Sequence, residues 1–173
     1  MSRSRLIAGL AGAAALAAVS LIMPFEGERH TAYLDEPGIP SICWGHTTGV
    51  RMGDVATHDQ CLDLLTKDIA PIDKAYDRLV KVKTTEKFKA SWLSFAFNTG
   101  TTAFASSTAL KRINANRQFE ACEQMLRWVC VKTRPGAGVA KGLCATGDRH
   151  LRVSAGLHTR RVAERGMCLE GAT

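Results

Sequence analysis

The hydrophobic pattern divides the chain into an uninterrupted apolar stretch, a punctuated segment and a series of periodic ones. Leu6 to Phe25 contains no charged residue. About 20 residues at 1.5 Å rise match the ~30 Å hydrocarbon core of a bilayer, so this stretch predicts a transmembrane helix. From Phe25 to about Gly53, Pro37-Gly38, Pro40, Gly45 and Gly49 separate short apolar stretches, which predicts a small antiparallel sheet. Helical spacing follows. Thr57 predicts the N-cap of a helix near His58 to Val80, in which Cys61, Leu64, Leu65, Ile69, Ile72 and Ala75 share a face. Thr85 opens an apolar helix, Lys87 to Phe97, whose Phe88, Trp92, Phe95 and Ala96 predict a core, and Asn98-Thr99-Gly100 ends it. Shorter helices are predicted near Ser106 to Ala115 and Gln118 to Trp128, then an aperiodic Gly-rich, basic insertion loop from Val131 to Leu157, and a last helix from Thr159 to Leu169. There is no internal repeat. The order predicts an α+β fold with a small antiparallel sheet lobe and a larger helical lobe. Residues 1–25 form an N-terminal membrane segment and residues 26–173 one compact domain.

The apolar stretch is a weak anchor. Leu6, Ile7, Leu10, Leu16, Val19, Leu21 and Ile22 are its strong aliphatics, and most of the remainder is Ala and Gly. At roughly 0.3–0.6 kcal/mol per aliphatic, the total is about 2–4 kcal/mol before small and polar residues are subtracted, which describes reversible insertion. Arg3 and Arg5 hold the N-terminus on the cytoplasmic side, which sends everything after Pro24 across the membrane. Two other readings compete: a permanent anchor, and a signal peptide cleaved at an A-x-A site at Ala15 and Ala17 or at Ala13 and Ala15. Cleavage would leave an apolar stub, Val19 to Phe25, ahead of Glu26, so the junction reads as one that is kept.

Charge narrows the partners. The 173 residues carry a net +7, concentrated beyond residue 107, which suits an anionic polymer or surface. Export and the lack of any helix-turn-helix, zinc-finger or RNA-binding signature exclude nucleic acid. Six cysteines outside the cytoplasm read as disulfides, although six allow fifteen pairings. The pairing proposed from the element order is Cys43 with Cys61, tying sheet to first long helix, Cys122 with Cys168, joining the last two helices, and Cys130 with Cys144, closing the insertion loop. Cys43-x-x-His46 has ligand-like spacing, but no second pair follows it, so no metal and no cofactor is expected.

Candidate chemistry begins where the apolar run ends. Glu26 follows the apolar flank Ile22 to Phe25, which suits a carboxyl that donates a proton, and Asp35 lies in a polar turn that suits a charged one. Two carboxyls in contrasting surroundings are what glycosidic cleavage needs. Alone, such a pair is more often two solvated surface acids.

The surrounding order changes that reading. Glu26-Gly27-x-Arg29, Tyr33-x-Asp35, Gly38, Ser41-Ile42 and Gly45-His46 resemble the active-site segment of the phage-type lysozymes that cut bacterial cell walls. Ser94-Phe95-x-Phe97-Asn98-x-Gly100 and Phe104-x-x-Ser107-Thr108-x-Leu110 are similar to that family's cleft-lining helix and turn, and Gly156-Leu157-x-x-Arg160-Arg161-x-x-Glu164-Arg165 to its C-terminal basic helix, so the likeness covers residues 24 to 170. It implies a lysozyme-like fold and a glycoside hydrolase of the muramidase type, with Glu26 as general acid, Asp35 as second carboxyl and Ser41 in a place where the family usually has Thr. Asn98, Ser107 and Thr108 are the implied substrate-binding residues; Asn98 has helix capping as its alternative. His46 is expected to be a hydrogen-bonded structural residue, Arg29 to pair with an acid in the sheet, and Trp44 and Trp92 to be core or cleft aromatics. With its weak N-terminal helix the chain resembles the signal-arrest-release endolysins. These are exported, held inactive in the inner membrane and freed to the periplasm on depolarisation, and the helix then refolds against the domain. The resemblance further implies peptidoglycan as partner, a holin or pinholin acting upstream without necessary direct contact, and a monomer. The rivals are a wall-binding module that has lost activity and a pore formed by Leu6 to Phe25 alone.

Overall fold

A computed structural model of the protein describes residues 12–35, 38–132 and 151–173. The first half of the apolar stretch, residues 36 and 37, and most of the insertion loop with Cys144 lie outside the described residues. The chain enters through helix α1 (Ala13–Glu26) and reverses at Gly27, whose φ of +66° is open to glycine without strain. Strands β1 (Arg29–Leu34) and β2 (Pro40–Cys43) then pair antiparallel, with Arg29 opposite Cys43 and Tyr33 opposite Ser41. Helices α2 (His58–Leu79), α3 (Glu86–Thr99), α4 (Thr101–Ser106), α5 (Thr108–Asn114) and α6 (Gln118–Glu123) follow, the last running into a 3-10 turn, Gln124–Arg127. A short hairpin of β3 (Cys130–Lys132) and β4 (Leu151–Val153) leads to α7 (Ala155–Gly171).

The predicted helix starts rest on identifiable caps. Thr57 Oγ1 accepts from Gln60 N while Gln60 Oε1 accepts from Thr57 N, a reciprocal capping box. Thr85 Oγ1 accepts from Phe88 N and itself donates to the Gly171 carbonyl at 2.7 Å, so one hydroxyl starts α3 and receives the end of α7.

The core is built on α3, from Phe88 through Ala96, against which α1 and α7 both pack. Trp92 sits at its centre against Phe88, Phe95 and Phe104 and is fully buried, which places it in the core. The N-terminal helix is part of this core: Ala14, Ala15, Ala18 and Ile22 are buried in the same cluster as Trp92 and Phe95. Among the described residues no helix is long and apolar enough to cross a membrane.

Three expectations need correction. The helix expected near Ser106 to Ala115 is α5, but it starts two residues later: Ser106 ends α4 and Ser107 caps α5, its Oγ accepting from Leu110 N. The helix expected up to Trp128 tightens into a 3-10 turn after Glu123. The last helix begins at Ala155 with Ser154 as N-cap, four residues before Thr159, and what precedes it is paired as β4. Strands of three residues are too short to show a two-residue period.

Candidate active site

Glu26 is the last residue of α1, so its position is set by how that helix packs. Its Oε1 accepts from Arg160 Nη1 on α7, and the Arg160 guanidinium carbon lies 5.7 Å from the centre of the Phe25 ring. Oε2 takes no hydrogen bond from the described residues. Glu26 lines a cavity of about 370 Å³ with Trp44, Gly45, Thr47, Asp68, Ile72, Phe97 and Asn98. Its walls are the β2 turn, α2 and the end of α3, so it lies between the two lobes. A groove with two acids, Glu26 and Asp68, one amide and aromatic surface offers a sugar both hydrogen-bond partners and an apolar face.

Asp35 closes β1. Its Oδ1 accepts from Ile39 N at 2.7 Å, and its backbone bonds to Ile39 and Gly38, so the carboxylate is fastened to a turn in the polar setting expected. Ser41 lies buried in β2 and its hydroxyl donates to the Ile39 carbonyl at 3.2 Å. The same turn residue thus holds both Asp35 and Ser41. Neither lines the cavity that Glu26 and Asn98 share.

Ser107 spends its hydroxyl on helix capping, donating to Phe104 O and accepting from Leu110 N, and Thr108 is exposed at the start of α5. His46 meets Asp68 at 2.9 Å through Nδ1 and the Thr48 carbonyl at 3.0 Å through Nε2; both nitrogens are engaged, the structural role expected. Cys43 is bonded to Cys61, so Cys43-x-x-His46 is no metal pair. Cys122 is bonded to Cys168 as expected, and the pairing of Cys130 with Cys144 lies outside the described residues. Arg29 lies 4.3 Å over the Tyr33 ring, in place of the acid partner expected, because alternate residues of a strand share a face. Trp44 is buried at the cavity wall and edge-on to His58.

The largest difference from the sequence reading is behind Glu26. Arg160 Nε donates to Glu164 Oε1 at 3.0 Å and Arg161 Nη1 to Glu164 Oε2, while Arg161 Nη2 reaches Asn98 Oδ1. Ser94 Oγ donates to Glu164 Oε1 at 2.7 Å, and the Ser94 and Trp128 carbonyls accept from Arg160 and Arg161. Arg160, Arg161 and Glu164 are buried, and burial pulls the Arg161 guanidinium below its ordinary value despite the Glu164 charge beside it. Expected only as a C-terminal basic helix, this stretch of α7 is an internal charge network that fixes Glu26 at one end and Asn98 at the other. The signal was an acid three and four residues from two arginines, a spacing that puts all three on one face.

The phage lysozyme family profile matches residues 23–164. The SAR-endolysin of Pseudomonas phage phiKMV is 37% identical over 161 residues, 93% of this chain and 91% of that protein. Among solved structures, the muramidase domain of SpmX from Asticaccaulis excentricus superposes with a TM-score of 0.77 at 33% identity, covering 88% of this chain and 95% of that one. The endolysin from Escherichia coli O157:H7 phage FAHEc1 gives 0.73 at 30% identity and covers 93% of each chain. A profile that runs from just before Glu26 to Glu164, and likenesses that span nearly the whole chain, establish the protein as a member of the phage lysozyme family and a lysozyme-type glycoside hydrolase.

Proposed function

We propose that the protein is an endolysin that hydrolyses the β-1,4 bond between N-acetylmuramic acid and N-acetylglucosamine in peptidoglycan, and that residues 1–25 hold it inactive in the host inner membrane until release into the periplasm. The observation that carries this reading is that Glu26 ends α1. One helix cannot lie in lipid and in the core of the domain at once. While Leu6 to Phe25 is in the bilayer, Glu26 is pinned at its surface, away from Arg160. Docking of Ala14, Ala15, Ala18 and Ile22 delivers Glu26 to the cavity. The signal-arrest name of the phiKMV relative agrees with this switch.

In the proposed reaction Glu26 protonates the leaving glycosidic oxygen, the Asp35 carboxylate stabilises the developing cation or directs water, and the Ser41 hydroxyl helps to position that water. Asn98, held by Arg161, presents its amide to a sugar substituent, and Ser107 and Thr108 border the substrate path. A turbidity assay on purified walls tests the assignment. Glu26→Gln and Asp35→Asn should each nearly abolish cleavage with the fold intact by circular dichroism, whereas Ser41→Thr should keep it. A Glu26→Gln protein with most of its rate on walls would remove Glu26 from the acid role, whereas one that is inert on walls yet still lyses cells when exported would favour lysis by the N-terminal segment alone. Released sugars should show inverted anomeric configuration, and retention would exclude a water placed by Asp35.

A further inference from the structure

Two residues beyond Glu26, the start of β1 and the first turn of α2 bring together Glu28, His30 and His58. Glu28 Oε1 lies 2.8 Å from His58 Nδ1 and 3.4 Å from His30 Nε2. The other nitrogen of His30, Nδ1, is 2.9 Å from the Ala56 carbonyl oxygen, which only accepts. That contact puts the proton of a neutral ring on Nδ1 and leaves the lone pair of Nε2 facing the carboxylate. A lone pair aimed at a carboxylate oxygen is repulsive unless a proton or a cation stands between them. A backbone carbonyl behind the distal nitrogen is the outer-shell contact that orients metal-binding imidazoles.

We propose that Glu28, His30 and His58 form a binding site for a divalent transition metal of the zinc type, with His30 Nε2, His58 Nδ1 and the Glu28 carboxylate as ligands and water completing the shell. A tetrahedral ion with bonds of ~2.0–2.1 Å holds its ligand atoms about 3.3 Å apart; Glu28 Oε1 is already 3.4 Å from His30 Nε2 and 2.8 Å from His58 Nδ1, and the edge between the two rings is set by rotation of His58. The His30 and His58 side chains are 50% and 49% exposed, so either ring turns to close on an ion without disturbing the core, and the ion has an open path from solvent. The Cys61 sulfur also lies within 4.8 Å of the Glu28 and His30 ligand atoms, but it is bonded to Cys43 and supplies no thiolate. Two imidazoles and one carboxylate select zinc, nickel or copper over magnesium and calcium, which prefer oxygen. The site lies outside the cavity that holds Glu26 and plays no part in the proposed hydrolysis. It ties the start of β1 to α2 beside the disulfide that ties β2 to α2, and so acts as a second clamp on the sheet lobe.

The test uses the untagged full-length protein, titrated with zinc chloride by calorimetry and with cobalt chloride by visible absorption, and thermal unfolding with and without zinc. One equivalent should bind, and zinc should raise Tm. His30→Ala, His58→Ala and Glu28→Gln should each weaken binding at least tenfold and remove the Tm rise, with circular dichroism confirming the fold. His158→Ala, at an exposed position on α7, should change neither. No saturable binding by the wild type, binding indifferent to all three substitutions, or binding lost with His158 would each overturn the proposal. Lysozyme activity does not enter these readouts, so they stand or fall separately from the function proposed above.

Discussion

Glu164 shows how one residue organises the site from behind. It is fully buried, and its two oxygens serve Arg160 and Arg161, so two cations share one buried anion. Removing Glu164 would leave the buried Arg161 without an acid partner and Arg160 with Glu26 alone, a cost of about 3–5 kcal/mol. Glu164→Gln should therefore lower stability by about that amount in chemical denaturation and reduce wall cleavage, since Arg160 would lose the partner that aims it at Glu26. A loss below about 1 kcal/mol would mean that the two arginines find other acceptors and that Glu164 is not their anchor. Glu26 and Asp35 stood out in the sequence because the order of residues around them resembles an active-site segment; as a pair alone they read as surface acids. The arginines behind Glu26 did not. Charges on a helix read as a solvated face unless the residues that cover them are known, and here the cover is Ser94, Asn98 and Trp128, far away in sequence.

At the scale of elements, two close contacts hold the three central helices in register. Helix α1 starts after Gly12, which has no side chain to cap it, and the Ala14 N–H is met instead by Glu86 Oε2 at 2.8 Å, from the first turn of α3. A carboxylate at a helix N-terminus satisfies an orphan donor and opposes the helix dipole, together worth about 1 kcal/mol. Glu86→Ala should cost about that in thermal unfolding, and because α1 carries Glu26 it should also lower kcat on walls. Unchanged activity at reduced stability would show that α1 keeps its seat without the cap. At the other end, a Cβ at Gly171 would stand 2.3 Å from Phe88 N and 2.7 Å from Thr85 Oγ1, where α7 meets the start of α3. Gly171→Ala should destabilise by about 1–3 kcal/mol, read as a fall in the urea midpoint at constant m-value. The long helices were legible because Thr57 and Thr85 announce their starts and their apolar faces repeat over several turns. The hairpin of β3 and β4 was hidden because its pairing is made across the insertion and each strand has only three residues.

For the whole molecule, the proposed release requires the same segment to be comfortable in two surroundings. Burying Ile22 and the methyl groups of Ala14, Ala15 and Ala18 gives the docked form roughly 4–5 kcal/mol. Insertion of the apolar stretch would be worth about 2–4 kcal/mol at most, so in the proposed switch the two states are close and docking wins once the membrane potential no longer opposes exit. Small residues serve both states: alanines make the segment a poor anchor, and they let α1 lie close against α3. Exposure separates these roles. Ala13 and Ser20 face solvent in the docked helix, whereas Ala14 is buried, so leucine at Ala14 would disturb the core as well as the anchor. Ala13→Leu with Ser20→Leu should strengthen insertion by about 1–2 kcal/mol and leave docking unharmed. Cells carrying this double variant should retain intact, inactive enzyme in the membrane fraction after depolarisation. The same protein, extracted in detergent and refolded in buffer, should cleave walls at the unsubstituted rate. Release and lysis at the normal time would show that insertion strength does not set the switch, and finding the periplasmic protein already cut near Ala17 before any depolarisation would replace release by cleavage.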